Sequence, residues 1–522
     1  VFFDQEAFDK YELSKEEFEL LNDREQKEKK EQEEKEEAEK DKKDKKKKDK
    51  EEVKPLKLDF DNLDIRKEKL TINSSSISDY VLNKDASKVY YLSSFEKGYD
   101  LWVTEPRTRE TKILAKLGGS PSGIEISDDD KTLFLSNNGK LVKVDAEKGE
   151  VTNIAISGDM VLNPSAERTY MFNHIWRQVT KKFYDPTIHG IDWKMYHDEY
   201  AQFLPHINNN YDFQELLSEL LGELNASHTG GRYGASSENG DHTASLGLLF
   251  DEDYQGEGIK VTEVIAGGPT DNAKNKIKSG DIITEINGEA IKSDENWNKY
   301  LNNLEDKNVL LTVKSGSSTF SETIKPISIG EESRLMYKRW VNMMEHKVDS
   351  LSNGQLGYVH IQGMNDSSFR DVFENALGKN LNKKALVVDT RFNGGGWLHD
   401  DLNTFLSGDQ YLQFAPQGNL VKGGEPMTRW SKPSIVLMSE GNYSDAFIFP
   451  YVYKQNKVGK LVGMPVAGTG TAVWWERQID PSIVFGIPMV ATIGAEGRPT
   501  ENLELEPDIM VPLPYKAFLN GE

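Results

Sequence analysis

Ser444 stands between an apolar run, Ile435–Val436–Leu437–Met438, bounded by Pro433 and Gly441, and a second apolar stretch from Ala446 to Tyr453. The first reads as a buried strand and the second as a helix, which puts Ser444 at the turn between them. A hydroxyl there is exposed beside the first free amides of the helix and the positive end of its dipole, the placement a nucleophilic serine needs. A plain helix cap, made by Ser444 or Asp445, uses the same position and is the commoner role. A second turn bears on the choice. Gly394–Gly395–Gly396 follows the buried-strand pattern of Ala385–Thr390. Three glycines remove every Cβ, so backbone N–H groups can approach a reacting atom closely. With the Asp445 amide, such a turn makes the two-donor oxyanion site that acyl transfer requires. A phosphate cradle is disfavoured, because no Gly-Lys-Ser/Thr sequence follows and the chain is strongly acidic.

A serine nucleophile needs a base, and the chain has 9 histidines. His228 is the best placed, at the end of a helical pattern beside Ser227 and the pair Gly230–Gly231. His399, three residues after Gly396, is its rival. The others read as structural: His174, His189, His197 and His206 among helical surface positions, His360 in a strand, His346 in a charged helix, and His242 at a domain boundary.

These residues need a scaffold, and composition bounds it. The 522 residues carry a formal charge of −22 and no cysteine. That length accommodates about three domains. The negative balance gives no general attraction to phosphate backbones or anionic lipid, so neither nucleic acid nor a membrane surface is an expected partner. No apolar run approaches the ~20 residues that cross a bilayer. Lack of cysteine removes disulfides, thiolate metal sites and cysteine nucleophiles, and no metal or cofactor is expected. The first residue is Val1 rather than Met, which reads as a processed chain or a fragment.

Residues 1–55 combine an acidic helix pattern at Lys15–Leu21 with a Lys/Glu/Asp/Gln run from Asp23 to Glu52. That run has no apolar surface to offset its ordering entropy and is expected to be a solvated charged helix at best, the favoured reading being a mobile insertion. Residues 56–160 carry short alternating strands, including Lys88–Leu92, Asp100–Thr104, Thr132–Ser136 and Lys140–Val144. They fall into two approximate copies with a period of roughly 40 residues, the pattern of β-propeller blades. Two blades do not close a ring, so further blades are expected upstream. In residues 165–240, Met171, Ile175, Val179 and Phe183 recur at helical spacing, as do Phe213, Leu217 and Leu221, giving a small helical bundle that carries Ser227 and His228. Residues 330–522 alternate strands and helices, the pattern of an α/β core.

Between bundle and core, residues 243–327 resemble a PDZ domain, on Ser245–Phe250, Ile259–Val264 and Gly280–Gly288. The resemblance implies that Leu246, Gly247, Leu248, Leu249 and Phe250 form a loop whose amides receive a peptide carboxylate, while the adjacent strand edge adds a peptide strand.

The succession Ser227–His228, PDZ module, Asn393–Gly394–Gly395–Gly396, Ser444–Asp445, Thr500–Glu501–Asn502 and Glu506–Pro507–Asp508 resembles the tricorn protease family, among the tail-specific, C-terminal-processing serine peptidases. The resemblance extends over nearly everything after the charged run. It implies a crotonase/ClpP-like α/β core, a serine endopeptidase acting on peptides or unfolded proteins, and a homo-oligomer. It also implies a cytoplasmic location, with a periplasmic one open if a signal peptide precedes Val1. Its catalytic set would be a tetrad: Ser444 as nucleophile, His228 as base, Ser227 and Glu501 as a relay orienting the imidazole. The Gly396 and Asp445 amides would form the oxyanion hole. A propeller and PDZ scaffold that binds peptides without cleaving them stays open as the alternative.

Two departures stand out. Related processing proteases use a lysine base in a Gly-Lys-Gly setting, and the matching Gly468–Thr469–Gly470 holds a threonine, which cannot act as that base. In the archetypal tricorn proteases an acidic residue between the glycine turn and the nucleophile favours basic residues before the cut. The matching stretch, Gln413–Phe414–Ala415–Pro416–Gln417–Gly418, has no acid, which implies a pocket formed in part by Phe414 and an apolar or neutral preference. Asp409 or Glu425 would have to supply a charge from elsewhere.

Overall fold

Alternating apolar and polar residues sort the strands of the first unit, Val1–Val161, into two antiparallel four-stranded sheets. The computed structural model describes residues 1–40, 58–71, 76–94, 98–235, 239–272, 276–415, 424–512 and 514–519. One sheet runs Ile77–Leu82, Val89–Ser94, Tyr99–Thr104, Thr111–Ala115, and the other Pro121–Ile126, Thr132–Asn137, Lys140–Asp145, Val151–Ile154, each in sequential order. This is the meander of a propeller blade. Leu133 and Leu135 are buried while Phe134 between them faces out, as a two-residue period requires. Asn138 and Gly139 both adopt positive φ, the geometry of a tight hairpin turn.

Of the two forms expected of the charged run, the described part takes the solvated helix rather than the mobile insertion. Through Lys40 it continues a helix, Lys15–Lys40; residues 41–52 lie outside the described residues. Glu, Lys and Gln are strong helix formers, and the Arg24–Glu28 pair at 3.5 Å adds i,i+4 support, so local propensity sustains what burial does not. The helix is anchored at its start, where the Arg107 guanidinium lies 4.3 Å from the Phe18 ring centroid.

In the second unit, Leu162–Glu522, helices Pro164–Lys182, Trp193–Ala201 and Asn210–Gly222 are each N-capped by a side chain, from Asn163, Asp192 and Asn209. Their apolar faces bury Phe172, Ile175, Phe213, Leu217 and Leu221 together with Ile483, Phe485 and Ile487 from much later in the chain. The strand carrying those three, Ile483–Ala491, pairs antiparallel with Gly231–Tyr233 on one side and Thr471–Arg477 on the other. Periodicity placed Ile483 to Val490 among the alternating strands of the core. It identifies a strand but not its partner, and here the partner is the segment that follows His228.

The PDZ-like sheet has the order Leu248–Phe250, Ile259–Val264, Ile282–Ile286, Val309–Ser315, Ser318–Ile324, with Leu248–Phe250 at its edge. The core sheet is parallel throughout, in the order Leu356–His360, Ala385–Asp389, Ser434–Met438, Lys460–Gly463, Ile509–Met510. Its strands are apolar on both faces, since helices such as Asp366–Leu377, His399–Leu406 and Asp445–Gln455 pack against them. Ala385–Asp389 and Ser434–Met438 are neighbours, so the glycine turn and the Ser444 turn leave the same carboxyl edge, where open α/β sheets place their sites. Among the described residues no helix is long and apolar enough to cross a membrane.

Candidate active site

Ser444 has φ 57° and ψ −124°, a backbone region that costs a side-chain-bearing residue about 1–3 kcal/mol. It occupies the N-cap position of helix Asp445–Gln455, yet its side chain makes no capping bond. Nor does Asp445 cap that helix. Its buried carboxylate accepts from the Leu398 and His399 amides at 2.5 and 3.1 Å, tying the helix to the end of the glycine turn. The strained turn is held by others: Ser444 N–H donates to Thr469 Oγ1 at 2.6 Å, and Tyr443 N–H to the Asn393 carbonyl at 3.0 Å.

Asn393 is fully buried and shapes the glycine turn. Its amide nitrogen donates to the Ile361 carbonyl at 2.8 Å, and its side-chain oxygen accepts from Gly395 N–H at 2.9 Å. Only glycine fits next. Gly395 has φ 100°, and a Cβ on it would lie 2.5 Å from Ser444 Cβ; Gly396 has φ 143°, and its Cβ would lie 2.0 Å from the Met364 carbonyl oxygen. The N–H groups of Gly396 and Asp445 have no acceptor among the described residues.

His228 is buried, with φ 62°, and its N–H donates to the Tyr443 hydroxyl at 2.6 Å, which links it to the residue before Ser444. Its Nδ1 lies 2.8 Å from Ser227 Oγ. The Ser227 hydroxyl donates in turn to Glu501 Oε2 at 3.0 Å, and Ser227 N–H to Glu501 Oε1 at 2.5 Å. Burial lowers the His228 pKa to about 4, so the ring is neutral at ordinary pH. Burial also raises the Glu501 carboxyl above its usual range, opposed by its bonds from Ser227 and Thr471. A cleft of about 520 Å³ opens between His228, Ser444 and Gly394–Gly396, walled by Arg232, Tyr443, Val473 and Trp475. An uncapped serine, a neutral imidazole and a glycine turn with a free amide, all lining one cleft, are parts that acyl transfer uses.

Three family models match the chain in succession: the tricorn protease C1 domain over residues 164–222, the PDZ domain over 224–314 and peptidase family S41 over 355–511. A protein of Sulfurisphaera tokodaii described as a tricorn-like protease C-terminal subunit is 27% identical over 75% of the chain and 46% of its own length. The tricorn protease of Thermoplasma volcanium is 23% identical over 75% of the chain and 39% of its own. A crystal structure of the tricorn protease superposes with a TM-score of 0.75 and 19% identity, covering 90% of the chain and 48% of that one. The chain thus carries tricorn protease C1, PDZ and peptidase family S41 domains in succession and is similar to proteins described as tricorn proteases. It spans less than half the length of these relatives.

The remaining expected site residues are spread more widely. His399, the rival base, does not line the cleft; its Nδ1 bonds Asp445 Oδ1 at 2.5 Å. Phe414, expected in the specificity pocket, is 43% exposed and is not brought to the cleft, and neither are Asp409 and Glu425. Residues 416–418 of that loop lie outside the described residues. In the PDZ loop, Leu246 and Leu248 point into the core, and Gly247 N–H is already bonded to Ser245 Oγ at 2.9 Å, so this amide is not free for a carboxylate. Beside edge strand Leu248–Phe250 runs a groove of about 670 Å³ that includes Trp297. Sequence reasoning passed over Thr469, Thr471 and Arg232. Thr469 was considered only as a failed lysine; its position between two glycines was the available signal.

Proposed function

We propose that this chain hydrolyses peptide bonds as a serine endopeptidase, with Ser444 as nucleophile, His228 as base, and Ser227 with Glu501 orienting the imidazole. The observation that carries the reading is the bonded sequence Glu501–Ser227–His228 ending in the cleft that holds the uncapped Ser444. His228 takes the Ser444 proton as Oγ attacks the scissile carbonyl, and the Gly396 and Asp445 amides receive the oxyanion. The imidazolium then protonates the leaving amine. Water, deprotonated by the same ring, releases the acyl group and restores the enzyme. The positive end of helix Asp445–Gln455 adds to the stabilisation of the oxyanion. The groove beside Leu248–Phe250 suits an extended peptide strand, so substrates are peptides or unfolded chains.

The cleft wall supports a neutral or apolar residue before the cut. No acid is among its lining residues, and the Arg232 guanidinium lies 3.7 Å from the Trp475 ring centroid. A substrate Lys or Arg entering beside it would meet like charge without a counterion. Turnover of a peptide library by wild type and Ser444→Ala tests both statements. Cleavage is expected in wild type only; retained cleavage in the variant overturns the nucleophile, and a dominant Lys or Arg before the cut overturns the preference.

A further inference from the structure

Two hydroxyls, rather than one, face the His228 imidazole. Thr471 opens the strand Thr471–Arg477 and is 3% exposed. Its Oγ1 lies 3.1 Å from His228 Nδ1 and 3.1 Å from Ser227 Oγ. We propose that Thr471 is a positioning residue of the relay, a second acceptor for the His228 Nδ1–H beside Ser227. The proposal rests on the reading of His228 as the base.

Hydrogen bookkeeping supports it. The ring carries one proton on Nδ1 when Nε2 is to accept from Ser444, and that N–H has two acceptors, at 2.8 Å and 3.1 Å, in a three-centre bond. Ser227 turns its proton away from the ring toward Glu501 Oε2 at 3.0 Å, and Thr471 turns its own toward Ser227 Oγ at 3.1 Å. The carboxylate thus holds the Ser227 oxygen, and Ser227 the Thr471 oxygen, with lone pairs facing the imidazole. When the ring gains the Ser444 proton, its Nδ1–H meets two aligned dipoles.

The backbone fixes Thr471 independently of Ser227. Thr471 pairs with Ala491 in the three-stranded sheet. A Cβ on Gly470 would lie 1.8 Å from Thr500 Oγ1, so the chain passes close to the residue preceding Glu501. Thr469, two residues before Thr471, bonds Ser444 N–H at 2.6 Å. Alternate residues of one short segment therefore serve the nucleophile and the base.

The test is peptide turnover by Ser227→Ala, Thr471→Val, Thr471→Ser and the double variant Ser227→Ala/Thr471→Val. Each acceptor covers for the other, so either single loss is expected to lower kcat on the order of tenfold with KM unchanged. The double variant, which leaves the buried N–H without a partner, is expected to fall about another tenfold below the product of the singles. Thr471→Ser is expected to keep wild-type kcat, which a merely space-filling role for the threonine methyl does not explain. A double variant equal to the product of the singles, or Thr471→Ser behaving like Thr471→Val, overturns the second acceptor. Thr471→Cys supplies the same comparison should valine at this buried site prevent folding. Ser444→Ala separates the two levels: turnover surviving there overturns the underlying reading, not Thr471 alone.

Discussion

His228 and His399 each answer to an acid near Ser444, and the way each reaches its acid sets its protonation. His399 Nδ1 meets the Asp445 carboxylate directly at 2.5 Å, and that bond raises its pKa above the ordinary imidazole value. His228 reaches Glu501 only through a hydroxyl, and burial brings it down to about 4. A direct carboxylate favours the protonated ring. A neutral hydroxyl between the two orients the ring and leaves it able to accept one. His399 therefore clamps the nucleophile helix to the glycine turn, while His228 is suited to general-base work.

The most forceful way to break this contrast is to remove each ring. His228→Ala and Ser444→Ala are expected to lose on the order of 10⁴ or more in kcat, whereas His399→Ala, which loosens Asp445, is expected to lose about tenfold. Steady-state kinetics on one peptide decides it, and the reverse ranking would reassign the base. Next in size, Glu501→Gln and Ser227→Ala are expected to lower kcat by roughly 10–100-fold while leaving measurable turnover, since they act by orientation. Complete loss in Ser227→Ala would argue against a second acceptor on His228 Nδ1.

How much of this was visible in sequence follows the range of the interactions. The Ser444 turn, the three glycines and the Ser227–His228 pair are local patterns, and the structure shows them as turn, turn and bonded neighbours. Thr471 contacts His228 across 243 residues, and the Tyr443 hydroxyl does so across 215. No period or propensity encodes such pairs. The antiparallel pairing of Gly231–Tyr233 with Ile483–Ala491, which carries His228 to the core, was hidden for the same reason. Two other readings turned on local grounds instead. Of the two forms weighed for the charged run, lack of apolar surface favoured the mobile insertion, while helix propensity is the stronger term through Lys40; and Phe414 was placed by resemblance of a loop and is not among the residues lining the cleft.

A smaller effect sharpens the clamp. The folded pKa of His399 is raised, so its contribution to stability is fully present below about pH 6.5, the unfolded value, and is lost as pH rises through the folded one. Denaturant unfolding of wild type and His399→Gln is expected to differ by about 1–3 kcal/mol at pH 6 and less at pH 9. A gap that widens with pH would contradict the assignment. The smallest effect belongs to a region far from both histidines in sequence. Deleting Asp23 to Glu52 is expected to leave Tm and kcat nearly unchanged, because Phe18 and Arg107, which anchor the helix, remain. A fall of several degrees, about 1 kcal/mol or more in a unit of this size, would show that the run packs.

The central claim is that His228, neutral and hydroxyl-linked, activates Ser444. The rate of inactivation by a fluorophosphonate, followed against pH with the adduct located by mass spectrometry, reads that activation directly. Wild type and His399→Ala are expected to modify Ser444 with an acid limb below the ordinary histidine value of about 6.5, displaced toward the depressed value of about 4 for His228. In His228→Ala the rate should collapse at every pH. Modification of Ser444 that survives His228→Ala and disappears in His399→Ala would contradict the account.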